Sequence, residues 1–170
     1  MTFHKLLIAN RGEIACRIIK TAHEMGISCV AVYTEADTHS PFVRMADQAI
    51  KLSDSYLNGN EIINAAKQTG AEAIHPGYGF LSENAKFAKA VQKEGLIWVG
   101  PNSRVITSMG DKLKAKDIAE QAGVPTLPMT TDPKKVNTIG YPILIKAAAG
   151  GGGKGMRIVE DKKDLKEAIA

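Results

Sequence analysis

The stretch from Lys146 to Arg157 reads KAAAGGGGKGMR. Four consecutive glycines stand between two lysines, Lys146 and Lys154, and an arginine follows. Glycine lets backbone N–H groups approach and point at anionic oxygens, and it takes positive φ at no steric cost. Lysine adds a compact point charge suited to phosphate. The pattern suggests a phosphate cradle, but two familiar forms do not fit. A P-loop places Ser or Thr after its lysine, and here Gly155 follows Lys154. A dinucleotide fingerprint needs three spaced glycines after the first strand, and ANRGEIA offers only Gly12. What remains is a glycine turn between two strand candidates, YPILIKAAA (141–149) and MRIVED (156–161). Such a hairpin can close over a nucleotide as a lid. The plain alternative is a flexible linker, but linkers usually mix Gly with Ser and are not bounded by strands.

Other residues have plain local readings. Lys112, in MGDKLKAK, extends a basic face with Lys116 one turn on. HPGYGF (75–80) sets Tyr78 between two glycines as a loop anchor, and His75 reads as a packing or loop-fixing residue. Glu83 favours a helix N-terminus that Ser82 caps. The charge is uneven. Residues 1–100 hold 10 Lys+Arg against 10 Asp+Glu, and residues 101–170 hold 12 against 8. All of the formal +4 therefore lies in the part with the glycine run, which points to an anionic ligand. Lys162 and Lys163 read as a solvated face. With 5% aromatic residues and no interleaved stacking pattern, a nucleic-acid partner is disfavoured. No apolar run reaches the length of a membrane span, and the N-terminus lacks signal-peptide character. Cys16 and Cys29 sit among apolar neighbours and read as reduced core residues without metal-ligand spacing.

The elements that must position these residues alternate. KLLIAN (5–10), SCVAVYT (28–34), AIKLS (49–53), AEAIHP (71–76) and LIWVGP (96–101) read as strands. EIACRIIKTAHEMG (13–26), EIINAAKQTG (61–70) and SENAKFAKAVQKEG (82–95) read as helices ending in glycine. This rhythm predicts an α/β fold with a doubly wound parallel sheet and helices on both faces. A helix over 111–123, a proline-rich connector, the hairpin and the start of a helix over 165–170 follow. The reading divides the chain into a domain over 1–110, a linker helix and connector over 111–128, and an incomplete α+β lid over 129–170.

Five segments carry a resemblance: KLLIANRGEIACRII, HPGYGFLSENAKFA, MGDKLKAK, GVPTLP and GYPILIKAAAGGGGKGMRIV. In order, and over essentially the whole chain, they resemble the N-terminal part of biotin carboxylase. This is the ATP-grasp component of biotin-dependent acyl-CoA and pyruvate carboxylases. The resemblance implies a Rossmann-like, pre-ATP-grasp domain followed by part of the ATP-grasp lid. It implies an ATP-dependent ligase that converts bicarbonate with MgATP to carboxyphosphate and carboxylates N1 of biotin on a carrier protein. Residue by residue, it implies ATP contacts for Lys112, Lys146, Gly152, Gly153 and Met156, and a biotin-proximal place for Tyr78, Gly79 and Glu83. Glu13, Arg17, Lys20 and Glu24 line the face of the first helix opposite its apolar stripe. Alone that reads as a solvated face with i,i+4 pairs; the resemblance implies that Arg17, Lys20 and Glu24 belong to a homodimer contact. It also implies a biotin carboxyl carrier domain and a carboxyltransferase as partners, and a cytoplasmic location, or the mitochondrial matrix in a eukaryote.

The family's magnesium ligands, bicarbonate site, catalytic base and biotin arginine match positions beyond residue 170. The chain accordingly reads as an N-terminal fragment with no catalytic residue of its own and weak or no ATP binding in isolation. The segment between Val124 and Pro142 is shorter than the family usually shows, which implies a lost lid helix.

Overall fold

A computed structural model describes residues 2–146 and 156–169. The chain forms two compact units, Met1–Gly110 and Asp111–Ala170. The glycine run, expected as a mobile lid loop, lies outside the described residues together with Gly152 and Gly153.

In the first unit, strand β1 (Lys5–Ile8) leads into helix α1 (Gly12–Glu24) and strand β2 (Ser28–Tyr33). A short helix α2 (Pro41–Met45) precedes β3 (Gln48–Lys51), and α3 (Gly59–Thr69) precedes β4 (Ala73–His75). Helix α4 (Ala85–Lys93), the two-residue β5 (Ile97–Trp98) and α5 (Ser103–Gly110) complete it. All sheet pairings are parallel, in the order β3-β2-β1-β4-β5. The expected doubly wound α/β sheet is therefore present. Two details differ from the sequence reading. The cap of α4 is Asn84, whose Oδ1 accepts from Phe87 N at 3.0 Å, and not Ser82. Helix α5 occupies a stretch the sequence reading left without an element.

Alternation along the strands builds two cores. Leu6 and Ile8 of β1, Cys29 and Ala31 of β2 and Ala73 of β4 pack with Ala15, Ile18, Ile19 and Ala22 of α1 and Phe42 of α2. Leu7, Val30, Val32 and Ile74 point to the other face, against Ile62, Ile63 and Ala66 of α3 and Phe87, Ala88 and Val91 of α4. Each fully buried large aliphatic contributes roughly 1.5–3 kcal/mol. Phe87 also meets Trp98 edge-on, with ring centroids 5.6 Å apart. Burial and the nearby Asp47 push the Cys29 thiol up to about 11, so it is protonated within this core.

One buried charge joins the elements. Asp37 is 3% exposed and accepts from Arg11 Nε and Nη2 at 2.6 Å each, from Tyr56 Oη at 2.6 Å and from Ser40 Oγ at 3.1 Å. The Arg11 hydrogen bonds lead in holding its carboxyl at about 2, against an ordinary 3.8. Conversely, burial, followed by the hydrogen bond to Asp37, pushes the Tyr56 hydroxyl up to about 12.

The second unit has α6 (Lys112–Gln121), a 3-10 turn at Pro133–Thr138, the antiparallel pair β6 (Ile143–Ile145) and β7 (Arg157–Val159), and α7 (Leu165–Ile169). Asp111 caps α6 by accepting from Leu113 N at 3.0 Å and Lys114 N at 3.1 Å. Among its described residues only Val136 and Val159 are buried hydrophobics. Among the described residues of the chain, no helix is long and apolar enough to cross a membrane.

Replacing Asp37 by Asn removes charge-assisted hydrogen bonds and should cost about 2 kcal/mol at pH 7 in urea unfolding. The Asp37 pKa is lowered on folding, so its contribution is present above pH 4 and fades as pH falls toward 2. The gap between wild type and Asp37→Asn should therefore close over that window.

Candidate functional site

In an open parallel sheet, ligands gather at the carboxyl ends of the strands where the strand order reverses. Here β1 lies between β2 and β4, so the switch point is the crevice beyond β1 and β4. The residues that follow those strands are Asn10–Arg11–Gly12 and Pro76–Gly77–Tyr78–Gly79–Phe80. Asn10 is fully buried. Its Nδ2 donates to Pro76 O at 2.7 Å and Tyr78 O at 2.8 Å, and its Oδ1 accepts from Arg11 N at 2.9 Å. One side chain thus holds the loop after β4 against the turn after β1. His75 adds a second tie, with Nδ1 accepting from Gly77 N at 3.0 Å. Burial, reinforced by Arg17, lowers the His75 pKa and favours the neutral imidazole that this bond requires.

The loop is tightly specified. Gly77 has φ +65° and Gly79 φ +69°, and Phe80 takes φ +43°, a strained value for a bulky residue. Phe80 packs its ring on Tyr56 with centroids 5.4 Å apart. A Cβ at Gly77 would lie 2.7 Å from Asn10 Nδ2 and from Ile14 Cγ2. Tyr78 is exposed, and its hydroxyl donates to Glu13 Oε1 of α1. That bond leads in raising the Tyr78 pKa. Gly79 is exposed beside it, and exposed Glu83 stands one residue before the Asn84 cap. Tyr78, Gly79 and Glu83 thus lie on one loop and helix entry. Arg17, Lys20 and Glu24 are all exposed on α1, opposite buried Ala15, Ile18, Ile19 and Ala22.

In the second unit, Lys112 is the exposed first residue of α6. Lys116 is engaged elsewhere, pairing with Glu120 and donating to Thr126 Oγ1 at 3.0 Å. The hairpin register is Ile143 with Val159, Leu144 with Ile158 and Ile145 with Arg157. Continued by one step, it sets Lys146 opposite Met156 at the two edges of the glycine run. Strand alternation puts Leu144, Lys146, Met156 and Ile158 on one face. Leu144, Met156 and Ile158 are 46%, 47% and 69% exposed. The hairpin therefore presents an unfilled apolar surface ending in a lysine.

A parallel sheet with an anchored loop at its switch point, followed by a strand–glycine–strand hairpin, belongs to a recognisable class. Residues 2–106 match the family model "Biotin carboxylase, N-terminal domain", and residues 111–170 match "Carbamoyl-phosphate synthase L chain, ATP binding domain". The chain belongs to the biotin carboxylase family. It is 52% identical to the methylcrotonoyl-CoA carboxylase subunit alpha of Dictyostelium discoideum and 51% identical to the propionyl-CoA carboxylase alpha chain of Ruegeria pomeroyi. These matches cover 97% and 98% of this chain but 26% of each relative, so the chain spans about a quarter of their length. They run over 178 and 180 aligned positions, whereas 97% and 98% of 170 residues is about 165 and 167. Both relatives thus carry about 13 residues with no counterpart here.

Among solved structures, the biotin carboxylase domain dimer of Hydrogenobacter thermophilus 2-oxoglutarate carboxylase, in complex with MgADP, ADP and bicarbonate, aligns with TM-score 0.90 and 45% identity. A biotin carboxylase–β-γ-ATP complex from Campylobacter jejuni aligns with TM-score 0.91 and 43% identity. Each alignment covers 98% of this chain and 40% of the other.

Sequence reasoning missed Asn10 and the Arg11–Asp37–Tyr56 network. ANRG carries no pattern that marks an asparagine as buried, although a polar residue directly after an apolar strand was a usable hint.

The loop analysis separates two glycines of nearly equal φ. Gly77→Ala should cost roughly 2–4 kcal/mol, combining positive-φ strain with the clash on Asn10 and Ile14. Gly79→Ala, with open space around its added Cβ, should cost only about 1 kcal/mol. Urea denaturation of the two variants side by side measures the difference, and equal losses would refute the proposed packing of Gly77.

Proposed function

We propose that this chain is the N-terminal part of the biotin carboxylase component of a biotin-dependent carboxylase. The whole protein carboxylates biotin on a carrier domain, using ATP and bicarbonate, and a carboxyltransferase consumes the product. The observation that carries the nucleotide role is the hairpin face. An apolar surface of Leu144, Met156 and Ile158 suits an adenine base, and Lys146 beside the glycine run suits the phosphates. Lys112, Gly152 and Gly153 complete the proposed ATP contacts, with Met156 against the base. MgADP and ATP-type ligands in the H. thermophilus and C. jejuni structures support this reading.

Tyr78, Gly79 and Glu83 are the proposed biotin-proximal group, supported by the anchoring of their loop at the switch point. The magnesium ligands and the catalytic groups belong to the remainder of the protein. We assign the domains as 1–110, a linker helix and connector over 111–128, and part of the lid from 129 onward. The residues present in relatives and absent here fall, in this reading, between Val124 and Pro142, where the structure has one 3-10 turn at Pro133–Thr138. The proposed location is the cytoplasm, or the mitochondrial matrix in a eukaryote; the names of several relatives mark those proteins as mitochondrial.

In the whole carboxylase, Lys146→Gln should raise the KM for MgATP by about 10- to 100-fold, because a charge-assisted phosphate contact is lost. The KM for bicarbonate should change little. An unaltered ATP dependence would show Lys146 to be part of the basic surface only.

Arg17, Lys20 and Glu24 form the proposed homodimer contact, in line with the dimer of the H. thermophilus domain. Arg17→Glu in the whole protein should move the sedimentation coefficient toward that of the monomer at micromolar concentration, without loss of helicity. A variant that sediments as the wild type does would remove α1 from the interface.

A further inference from the structure

The opposite end of the sheet holds a second cluster. His23 lies in the last turn of α1, Cys29 is the second residue of β2, and Asp47 immediately precedes β3. Their sequence separations of 6 and 18 carry no metal-binding signature, but the fold brings them together. His23 Nε2 and Asp47 Oδ2 are 3.0 Å apart, and the same carboxylate oxygen accepts from Cys29 N at 2.7 Å. One ligand atom from each of the three side chains lies within 4.8 Å of the others. Cys29 is buried, whereas His23 and Asp47 have side chains 41% and 50% exposed. His23 and Asp47 line a shallow depression of about 230 Å³ with Gly26, Ile27 and Ser28, and Cys29 lies buried behind it.

We infer that His23 Nε2, Cys29 Sγ and an Asp47 carboxylate oxygen form a binding site for a divalent cation of the zinc class, with a fourth position open to solvent through the depression. The donor set decides the cation. Thiolate and imidazole favour zinc-class ions over the hard cations magnesium and calcium, which prefer oxygen. Zinc bonds of about 2.0–2.3 Å to N, O and S place tetrahedral ligands roughly 3.3–3.8 Å apart. When the cation replaces the His23–Asp47 hydrogen bond, that pair separates by a few tenths of an ångström, and any ligand separation near the 4.8 Å limit closes by about 1 Å. On binding, Cys29 releases its S–H proton to solvent. His23 offers the Nε2 lone pair with its ring proton on Nδ1. Asp47 keeps its tie to Cys29 N, which fixes the carboxylate from behind.

The test is a titration of the reduced, metal-free 170-residue chain with Co²⁺, followed by absorption spectroscopy. One equivalent should develop thiolate-to-cobalt charge-transfer absorption with the visible bands of a tetrahedral site. The absorption should persist in Cys16→Ser, vanish in Cys29→Ser, and need about tenfold or more Co²⁺ in His23→Gln. His23 is a surface residue, so His23→Gln stays folded by circular dichroism and decides the question if Cys29→Ser does not fold. Absence of charge transfer in wild type, its loss in Cys16→Ser, or unchanged affinity in His23→Gln would each overturn the site.

Discussion

The first unit depends on what two consecutive residues do where β1 ends. Asn10 turns inward and satisfies two carbonyls of the loop after β4 and the amide of Arg11. Arg11 reaches the other way and forks onto Asp37, beyond β2. The switch point of a doubly wound sheet is open by topology, because the chain leaves it in opposite directions. In this protein a buried amide and a buried carboxylate hold that opening at a fixed geometry. A buried asparagine without partners would cost about 1–3 kcal/mol or more. Its three hydrogen bonds instead make every departure from this loop conformation expensive. That is why the loop tolerates two positive-φ glycines and a strained Phe80.

The two units solve the problem of stability differently. The first buries apolar residues on both sheet faces, and its polar ties need only specify geometry. The second leaves Leu127 85% exposed and Ile158 69% exposed, and Tyr141 Oη is buried without a hydrogen-bond partner among the described residues. Its order therefore rests on local devices: the Asp111 cap, the Asp132 cap on Lys134 N at 2.9 Å, and the short β6–β7 ladder. A surface of this kind is what a nucleotide or further protein would cover.

The sheet and its helices were legible because their signals are periodic. Ile18, Ile19 and Ala22 recur at helical spacing, Leu6 and Ile8 alternate with Leu7, and glycines close α1, α3 and α4. The antiparallel hairpin was legible because two apolar strands flank a turn too short for a crossover. The remaining features depend on distance between remote residues. Asp37 looks like any loop acid until Arg11 and Tyr56 are set around it from 26 and 19 residues away. Ser82 was a sound cap candidate, but the 310-type turns at Ser82 and Asn84, closed onto Gly79 and Leu81, delay the helix so that Asn84 caps it. Helix α5 escaped notice because SRVITSMG has β-branched residues and a terminal glycine, both weak helix formers. Its stability comes from burying Ile106 in the core shared with α4.

Helix α1 connects these observations. Its first turn supplies Glu13 to the Tyr78 hydroxyl at the switch point, and its last turn supplies His23 to Asp47 at the far end of the sheet. Between them, the buried stripe fixes the helix on β1 and β2, and the opposite face carries Arg17, Lys20 and Glu24. A helix packed along one buried stripe resists rotation, because turning it would expose Ile18 and Ile19. Its two ends and its outer face are therefore mechanically one body. A partner seated on the outer face and a ligand beside Tyr78 would meet the same fixed helix. A proposed dimer surface and a proposed biotin-proximal loop that share one rigid helix cannot be treated as separate features. The hydrogen bond from Tyr78 to Glu13 ties the loop after β4 to the first turn of that helix.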